Sequence, residues 1–234
     1  MADSSQGPRR GRLAGTHEGK PGLPRGRSRL PAREVLASQR ERLRRAVIAA
    51  SADSGYAAVT VADIVRRAKV SRVAFYAHYR GKDECFLDAT GAGGRLMTGQ
   101  VVAAARAVPA TAPAEEVLRA GCRAFLAFLA EEPEFAQVFY IDMPAAGPAA
   151  VSRLQDAVGR FAEFNRTWHE RARKGHPQWP AVPEEAYLAL AGATGELVRT
   201  TVIAGRTKEL PELEDTIVAL HLAVLAARPW DAGT

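Results

Sequence analysis

Within one short stretch, Ser71 is followed by Arg72, Val73 and Ala74, and then by Tyr76, His78 and Lys82. Arg72 carries a guanidinium that can bond guanine O6 and N7 together, or take a phosphate oxygen instead. Val73 and Ala74 are small apolar groups of the kind that meet a thymine methyl. Tyr76, His78 and Lys82 supply donors for phosphate oxygens, and Thr60 adds a hydroxyl at a helix start. A good bidentate base contact is worth about 1–3 kcal/mol of discrimination, so a few such side chains suffice for one half-site.

These groups act together only if the backbone presents them on one face. Phe75 and Tyr79 stand four apart and predict a helix over 71–79, packed on Ile64 and Leu43, with Ser71 as its cap. That leaves Arg72, Val73, Ala74, Tyr76 and His78 on or near the outer side. Upstream, Thr60 reads as an N-cap and Asp63 as an acidic near-match to the capping box, opening a helix over 61–68. Lys69-Val70 makes the turn between the two. A first helix runs from about Pro31 to Gly55 on a stripe of Leu36, Leu43, Val47 and Ile48, and Asp83 and Glu84 open a fourth. Two short helices joined by so short a turn are a minimal helix-turn-helix, whose second helix enters the DNA major groove.

Beyond residue 90 the pattern stays helical, with prolines at the joints and no strand signature. One stripe runs through Val117, Gly121, Ala124, Phe125 and Phe128, and another through Val151, Leu154, Val158, Phe161, Asn165 and Trp168. The last two helices are expected near 184–206 and 212–227. The fold class is therefore all-α: a three-helix DNA-binding unit over 33–82 and a helical body over 83–234. Residues 1–32, rich in Gly, Pro, Arg and Ser, read as a disordered basic arm.

Charge is divided along the chain. Of the net +6, residues 1–90 carry 18 Lys+Arg against 9 Asp+Glu, and the remainder carries 14 against 17. One end is suited to a polyanion and the other is not. In the arm, Arg25, Arg27, Arg29 and Arg33 have a spacing that suits either a minor groove or a solvated tail. Cys85 and Cys122 have no CxxC spacing and suit a reducing cytosol as core residues, with a redox pair as the rival. No apolar run reaches the roughly 18 residues of a membrane span. No GxSxG elbow, P-loop, strand-linked GxGxxG or HExxH helix occurs, and His169 and His176 lack companion ligands. No catalytic site, metal or cofactor is expected.

Residues 36–88 resemble the DNA-binding domain of the tetracycline-repressor (TetR/AcrR-like) family. The resemblance rests on Gly55-Tyr56, Thr60-Val61-Ala62-Asp63-Ile64, Val70-Ser71, Phe75-Tyr76, His78-Tyr79 and Lys82-Asp83-Glu84. Lys69 departs from it, standing where the family usually has Gly, and could add a phosphate contact. The resemblance implies a regulator, commonly a repressor, that binds a palindromic double-stranded operator as a homodimer through its last two helices and is released by a small molecule. It implies DNA contacts at Thr60, Lys69, Ser71, Arg72, Val73, Ala74, Tyr76, His78 and Lys82, and at Arg27 and Arg29 of the arm. It also implies an effector pocket in the middle helices, with Phe125, Phe128, Phe139, Met143, Phe164, Trp168 and Tyr187 as walls and Asn165 and His169 as polar groups. That bias points to an apolar or aromatic effector. The alternative is control by a protein partner or by thiol oxidation.

Overall fold

The computed structural model describes residues 11–15 and 31–226, and among them every regular element is helical. The helices are α1 (Ala32–Ser54), α2 (Val61–Ala68), α3 (Arg72–His78), α4 (Lys82–Ala107), α5 (Ala114–Glu131), α6 (Pro133–Gln137), α7 (Pro148–Gly175), α8 (Glu184–Ile203) and α9 (Glu214–Leu225). None of them is long and apolar enough to cross a membrane.

The chain forms two compact units. The first comprises residues up to Gly93 together with Glu131–Ala146, and the second comprises Gly94–Ala130 and the residues from Gly147 onward. The expected boundary at residue 82 therefore lies inside the first unit, which takes in eleven more residues of α4 and a segment from the middle of the chain.

In the first unit the second half of α1 is buried, through Leu43, Ala46 to Ala50 and Ser51. Leu36, expected on the same stripe, is half exposed, since the buried residues of α1 begin only at Leu43. Gly55 ends the helix at φ 76°, its N–H on Ser51 O at 2.7 Å, a conformation that favours glycine. Ile64, Phe75, Leu43 and Phe86 fill the centre with no exposure. The segment 131–146 completes this core. Phe135 is fully buried, Gln137 donates to Ala52 O at 3.0 Å, and Asp142 accepts the Tyr56 N–H at 3.1 Å. Residues 138–142 form a π turn, which the periodicity of the sequence did not reveal.

Part of the arm expected to be disordered is anchored here. Arg12 and Leu13 donate their N–H groups to the buried Glu132 carboxylate at 3.0 and 2.7 Å, and Gly11 donates to Glu134 at 3.0 Å. A buried carboxylate requires donors, and a turn of backbone amides provides them. Composition alone does not show such a contact. Arg25, Arg27 and Arg29 lie outside the described residues.

In the second unit α5 buries Leu118, Gly121, Cys122, Phe125, Leu126, Phe128 and Leu129. Phe125 packs on Phe161 at 5.3 Å between ring centres, and Gly121 lies under the Phe164 ring. His169 is fully buried and joins three helices. Its Nε2–H donates to Leu225 O at 2.8 Å, which leaves Nδ1 to accept the Tyr187 hydroxyl, also at 2.8 Å. Arg119 and Arg123 of α5 reach Glu214 at 3.3 and 2.8 Å and pin α9.

Burial holds His169 and His221 below the ordinary histidine range, and burial beside Arg40 does the same to His78. A depressed folded-state pKa favours the neutral ring, so its stabilisation is present above the unfolded value of about 6.5 and is lost as pH falls from there through the depressed folded value. The urea midpoint is expected to be flat from pH 8 to 7 and to decline between pH 6.5 and 5.5. A second expectation concerns Gly93, where an added Cβ would run into the ring of the buried Phe135, whereas at Gly94 it meets nothing within 4 Å. Gly93→Ala should destabilise by about 1–2 kcal/mol as overpacking exceeds the gain in helix propensity. Gly94→Ala should stabilise by up to about 1 kcal/mol in the same melts.

Candidate nucleic-acid interface

Helix α2 starts with a complete capping box. The Asp63 N–H donates to Thr60 Oγ1 at 3.2 Å and the Thr60 N–H to Asp63 Oδ2 at 3.1 Å. The Thr60 hydroxyl also donates to Asp63 at 2.6 Å, so both of its roles are filled within the cap. The turn after α2 closes through Lys69 N–H on Arg66 O at 3.3 Å and Val70 N–H on Val65 O at 3.2 Å. This is a Schellman arrangement, and it places Lys69 in the left-handed region at φ 52°, ψ 43°. Lys69 is the sole non-glycine residue with positive φ among the described residues. Ser71 caps α3 by accepting the Ala74 N–H at 3.1 Å, which leaves its own hydrogen to donate outward.

Helix α3 is seven residues long and is held from one side. Phe75 is completely buried and Tyr79 nearly so. The Tyr79 hydroxyl donates to Asp88 of α4 at 2.7 Å. Arg40 and Arg44 of α1 each grip the same carboxylate with two bonds, Nε and Nη2 at 2.9 and 3.0 Å for Arg40 and at 2.7 and 2.9 Å for Arg44. Burial pushes the Asp88 carboxyl up, but the bonds from Arg44, Arg40 and Tyr79 outweigh it and hold the group well below the usual carboxylate range. His78 Nε2 meets Gln39 Oε1 at 3.1 Å, a further tie from α3 to α1.

Lys82 is placed differently from the phosphate donor expected of it. Its ammonium donates to the carbonyls of Tyr56, Ala57 and Val59 at 3.1, 3.2 and 3.0 Å, and lies 4.5 Å from the centre of the Tyr56 ring. All three N–H bonds are taken up closing the 3-10 turn before α2. The Tyr56 hydroxyl donates to Asp83, which couples the same turn to the start of α4. Asp88, Arg40 and Arg44 were not singled out from the sequence, and Tyr56 entered only through the family resemblance. The Arg40–Arg44 spacing of one turn was visible, but its acidic partner on another helix was not.

What remains on the outer face is uncommitted. Val73 is 83% exposed and Tyr76 50%, with Ser71, Arg72 and Lys69 also exposed. The Arg72 guanidinium lies 5.9 Å from the centre of the Tyr76 ring, and Ala74 is half-buried beneath. Among the described residues Arg72 and Lys69 make no ion pair, whereas Arg67 is bound to Asp53 at 2.7 Å.

The effector candidates separate into groups. Phe139 and Met143 belong to the first unit, with Phe139 against Phe135 and Tyr140. Phe125, Phe128, Phe164, Asn165, Trp168, His169 and Tyr187 belong to the second. Trp168 donates to Ala114 O at 2.8 Å and packs on Trp179, a residue the sequence reading passed over. His169 and Tyr187 bond each other, whereas both polar atoms of the fully buried Asn165 lack a protein partner.

Residues 47–89 match the family model for bacterial regulatory proteins of the tetR family. The chain carries a tetR-family DNA-binding domain. The matched span runs from Val47 within α1 to just past Asp88, so it contains α2, α3 and the carboxylate that Tyr79 bonds, while Arg40 and Arg44 lie before it. The fold is similar to that of the fatty acid degradation regulator FadR from Bacillus halodurans, with TM-score 0.70, 14% identity, and 81% of this chain and 97% of that one covered. A TetR-like transcriptional regulator from Rhodococcus sp. RHA1 is 24% identical with TM-score 0.65, over 86% of this chain and all of the other. FadR from Bacillus subtilis, solved in complex with stearoyl-CoA, is 14% identical with TM-score 0.68, over 79% and 98%. The tetR-family turn usually has Gly where Lys69 stands, and the left-handed geometry shows why. Lys69→Gly should remove a left-handed penalty of about 1–2 kcal/mol, partly offset by the entropy of Gly in the unfolded chain. Thermal melts are expected to rise by about 2–3 °C.

Proposed function

We propose that the protein is a ligand-responsive transcriptional regulator, acting as a repressor, that binds a palindromic operator as a homodimer. The observation that carries the DNA-reading assignment is the division of polar groups around α3. Lys82, Tyr79 and His78 are bound into the fold, while Arg72, Val73, Tyr76, Ser71 and Lys69 face outward. In this reading Arg72 and Val73 contact bases, with Ala74 behind them, and Ser71, Tyr76 and Lys69 contact phosphates. Thr60 contributes the N-terminus of α2 rather than its hydroxyl, and Lys82 acts by holding the turn in front of α2. Arg27 and Arg29 of the arm would add contacts beside the major-groove site.

Dimerisation through α8 and α9 is supported by the apolar and small groups left open there. Leu188 and Ile203 are more than half exposed, and Gly192 has open space above it. A two-fold dimer sets the two reading helices on half-sites about one DNA turn, or a multiple, apart. The effector would be an apolar or amphipathic small molecule. The fold neighbour solved with stearoyl-CoA supports that class, as do the aromatic residues of α5 and α7. Oxidative control has little support: both thiols are buried, Cys122 is pushed up to about 12 by burial, and Cys85 is raised further.

Selection of bound duplexes from a random pool is expected to return an inverted repeat. Arg72→Ala should then relax preference at one position per half-site, a loss of about 1–3 kcal/mol there, without changing the melting temperature. Lys69→Ala should weaken all sequences alike and reduce the salt slope by about 1. Lys82→Met should instead lower the melting temperature. Uniform weakening by Arg72→Ala would remove its base-reading role.

A further inference from the structure

The second unit carries an open groove of about 460 Å³ between α4 and α7, lined by none of the residues chosen from the sequence as effector contacts. Its floor is low because α4 presents small residues there. At Gly94 and Gly99 a Cβ would meet nothing within 4 Å. Val102 gives the floor an apolar centre. Arg95 and Arg106 stand at its two ends, eleven residues apart, which is close to three whole turns and places both on one side of the helix, about 16 Å apart along the axis. Arg160 of α7 forms the opposite wall.

No carboxylate lines this groove. Arg119, Arg123, Arg166, Arg199 and Arg206 of the same unit each pair with an acid, whereas Arg95, Arg106 and Arg160 make no ion pair among the described residues. The Thr98 hydroxyl donates to Gly94 O at 2.9 Å, so its hydrogen is used within the helix. Three unpaired guanidiniums around a partly apolar groove present a strong local field to a small anion. Their separation exceeds what one phosphate can bridge.

We propose that this groove binds the phosphorylated head of an extended amphipathic molecule, with two or more charged groups divided among Arg95, Arg106 and Arg160 and an adjoining apolar portion against Val102. This identifies the chemical class of the effector and so rests on the ligand-responsive reading above. Isothermal titration of the full-length protein at low salt would use lauroyl-CoA, ADP and laurate as probes. Lauroyl-CoA is expected to bind most tightly, ADP less so and laurate least, with affinity falling as salt rises. The Arg95→Ala/Arg106→Ala/Arg160→Ala variant, altered only at exposed positions, should keep its melting temperature and bind lauroyl-CoA at least tenfold more weakly. Arg72→Ala should bind it as the unaltered protein does. Equal binding by the triple variant, equal binding of laurate and lauroyl-CoA, a matching loss in Arg72→Ala, or no binding of either phosphorylated probe would each overturn the proposal. A mobility shift with the selected duplex separates the two readings. Arginine-dependent binding that leaves the duplex bound would keep the groove and remove the effector role. Release of the duplex that persists in the triple variant would keep the effector role and remove the groove.

Discussion

The Asp88 carboxylate receives five hydrogen bonds, from Arg40, Arg44 and Tyr79, and thereby joins α1, α3 and α4 at one point. A seven-residue helix has no independent stability in water, so α3 exists because its neighbours hold it. Phe75, fully buried, supplies the apolar part of that hold and turns its side of the helix inward. The Tyr79 hydroxyl supplies the directional part, because it must reach a carboxylate already oriented by two guanidinium forks. The outward direction of Arg72 and Val73 follows from the burial of Phe75 and Tyr79 together with that bond. Loss of the carboxylate would leave two guanidiniums facing each other with no counterion, a greater penalty than the loss of any one bond.

The same reasoning divides the basic residues of the first unit into two kinds. Arg40, Arg44, Arg67 and Lys82 are bound to distant parts of the fold, and Arg45 and Arg66 pair with acids of their own helices, whereas Arg72 and Lys69 make no ion pair among the described residues. The charge excess of the amino-terminal ninety residues therefore overstates what the folded surface offers at the reading face. Lys82 shows the consequence clearly. Its position just after the reading helix fits a phosphate donor, yet three carbonyls of a 3-10 turn need a donor more than the solvent does. A buried carbonyl without a partner is costly, and the ammonium serves the carbonyls of buried Tyr56 and Val59 together with that of exposed Ala57.

Most of the helix boundaries were legible in the sequence because caps and breakers are local. Thr60 with Asp63, Ser71 and Gly55 each announce a helix end through their own chemistry, and all three act there as expected. The outward placement of Arg72, Val73 and Tyr76 followed from the four-residue spacing of Phe75 and Tyr79. Contacts between distant segments were not legible. Nothing near Glu132 in sequence indicates that it will bind the backbone of residues 12 and 13, and nothing near Phe135 indicates that it will lie on Gly93. Nor did the helical spacing of the aromatic residues show that His169 and Tyr187 would bond each other, or that His169 and Trp168 would bond backbone carbonyls. The arginines of the groove were missed for the opposite reason: they are isolated in sequence, and only the small residues between them make them one site.

The glycines of α4 carry a last distinction. Gly91, Gly93 and Gly94 lie close together in α4, which nonetheless runs unbroken from Lys82 to Ala107. At Gly93 the missing side chain makes room for Phe135, so that position is a packing requirement of the first unit. At Gly94 and Gly99 it leaves open space, and that space forms part of the groove in the second. A ligand bound against α4 would therefore act on the helix that also bears Asp88. It can alter DNA binding only to the extent that it prefers one arrangement of that helix over another. The spacing of Arg95 and Arg106 is fixed by α4 itself, so such a preference would have to arise from the position of Arg160 of α7 against that helix.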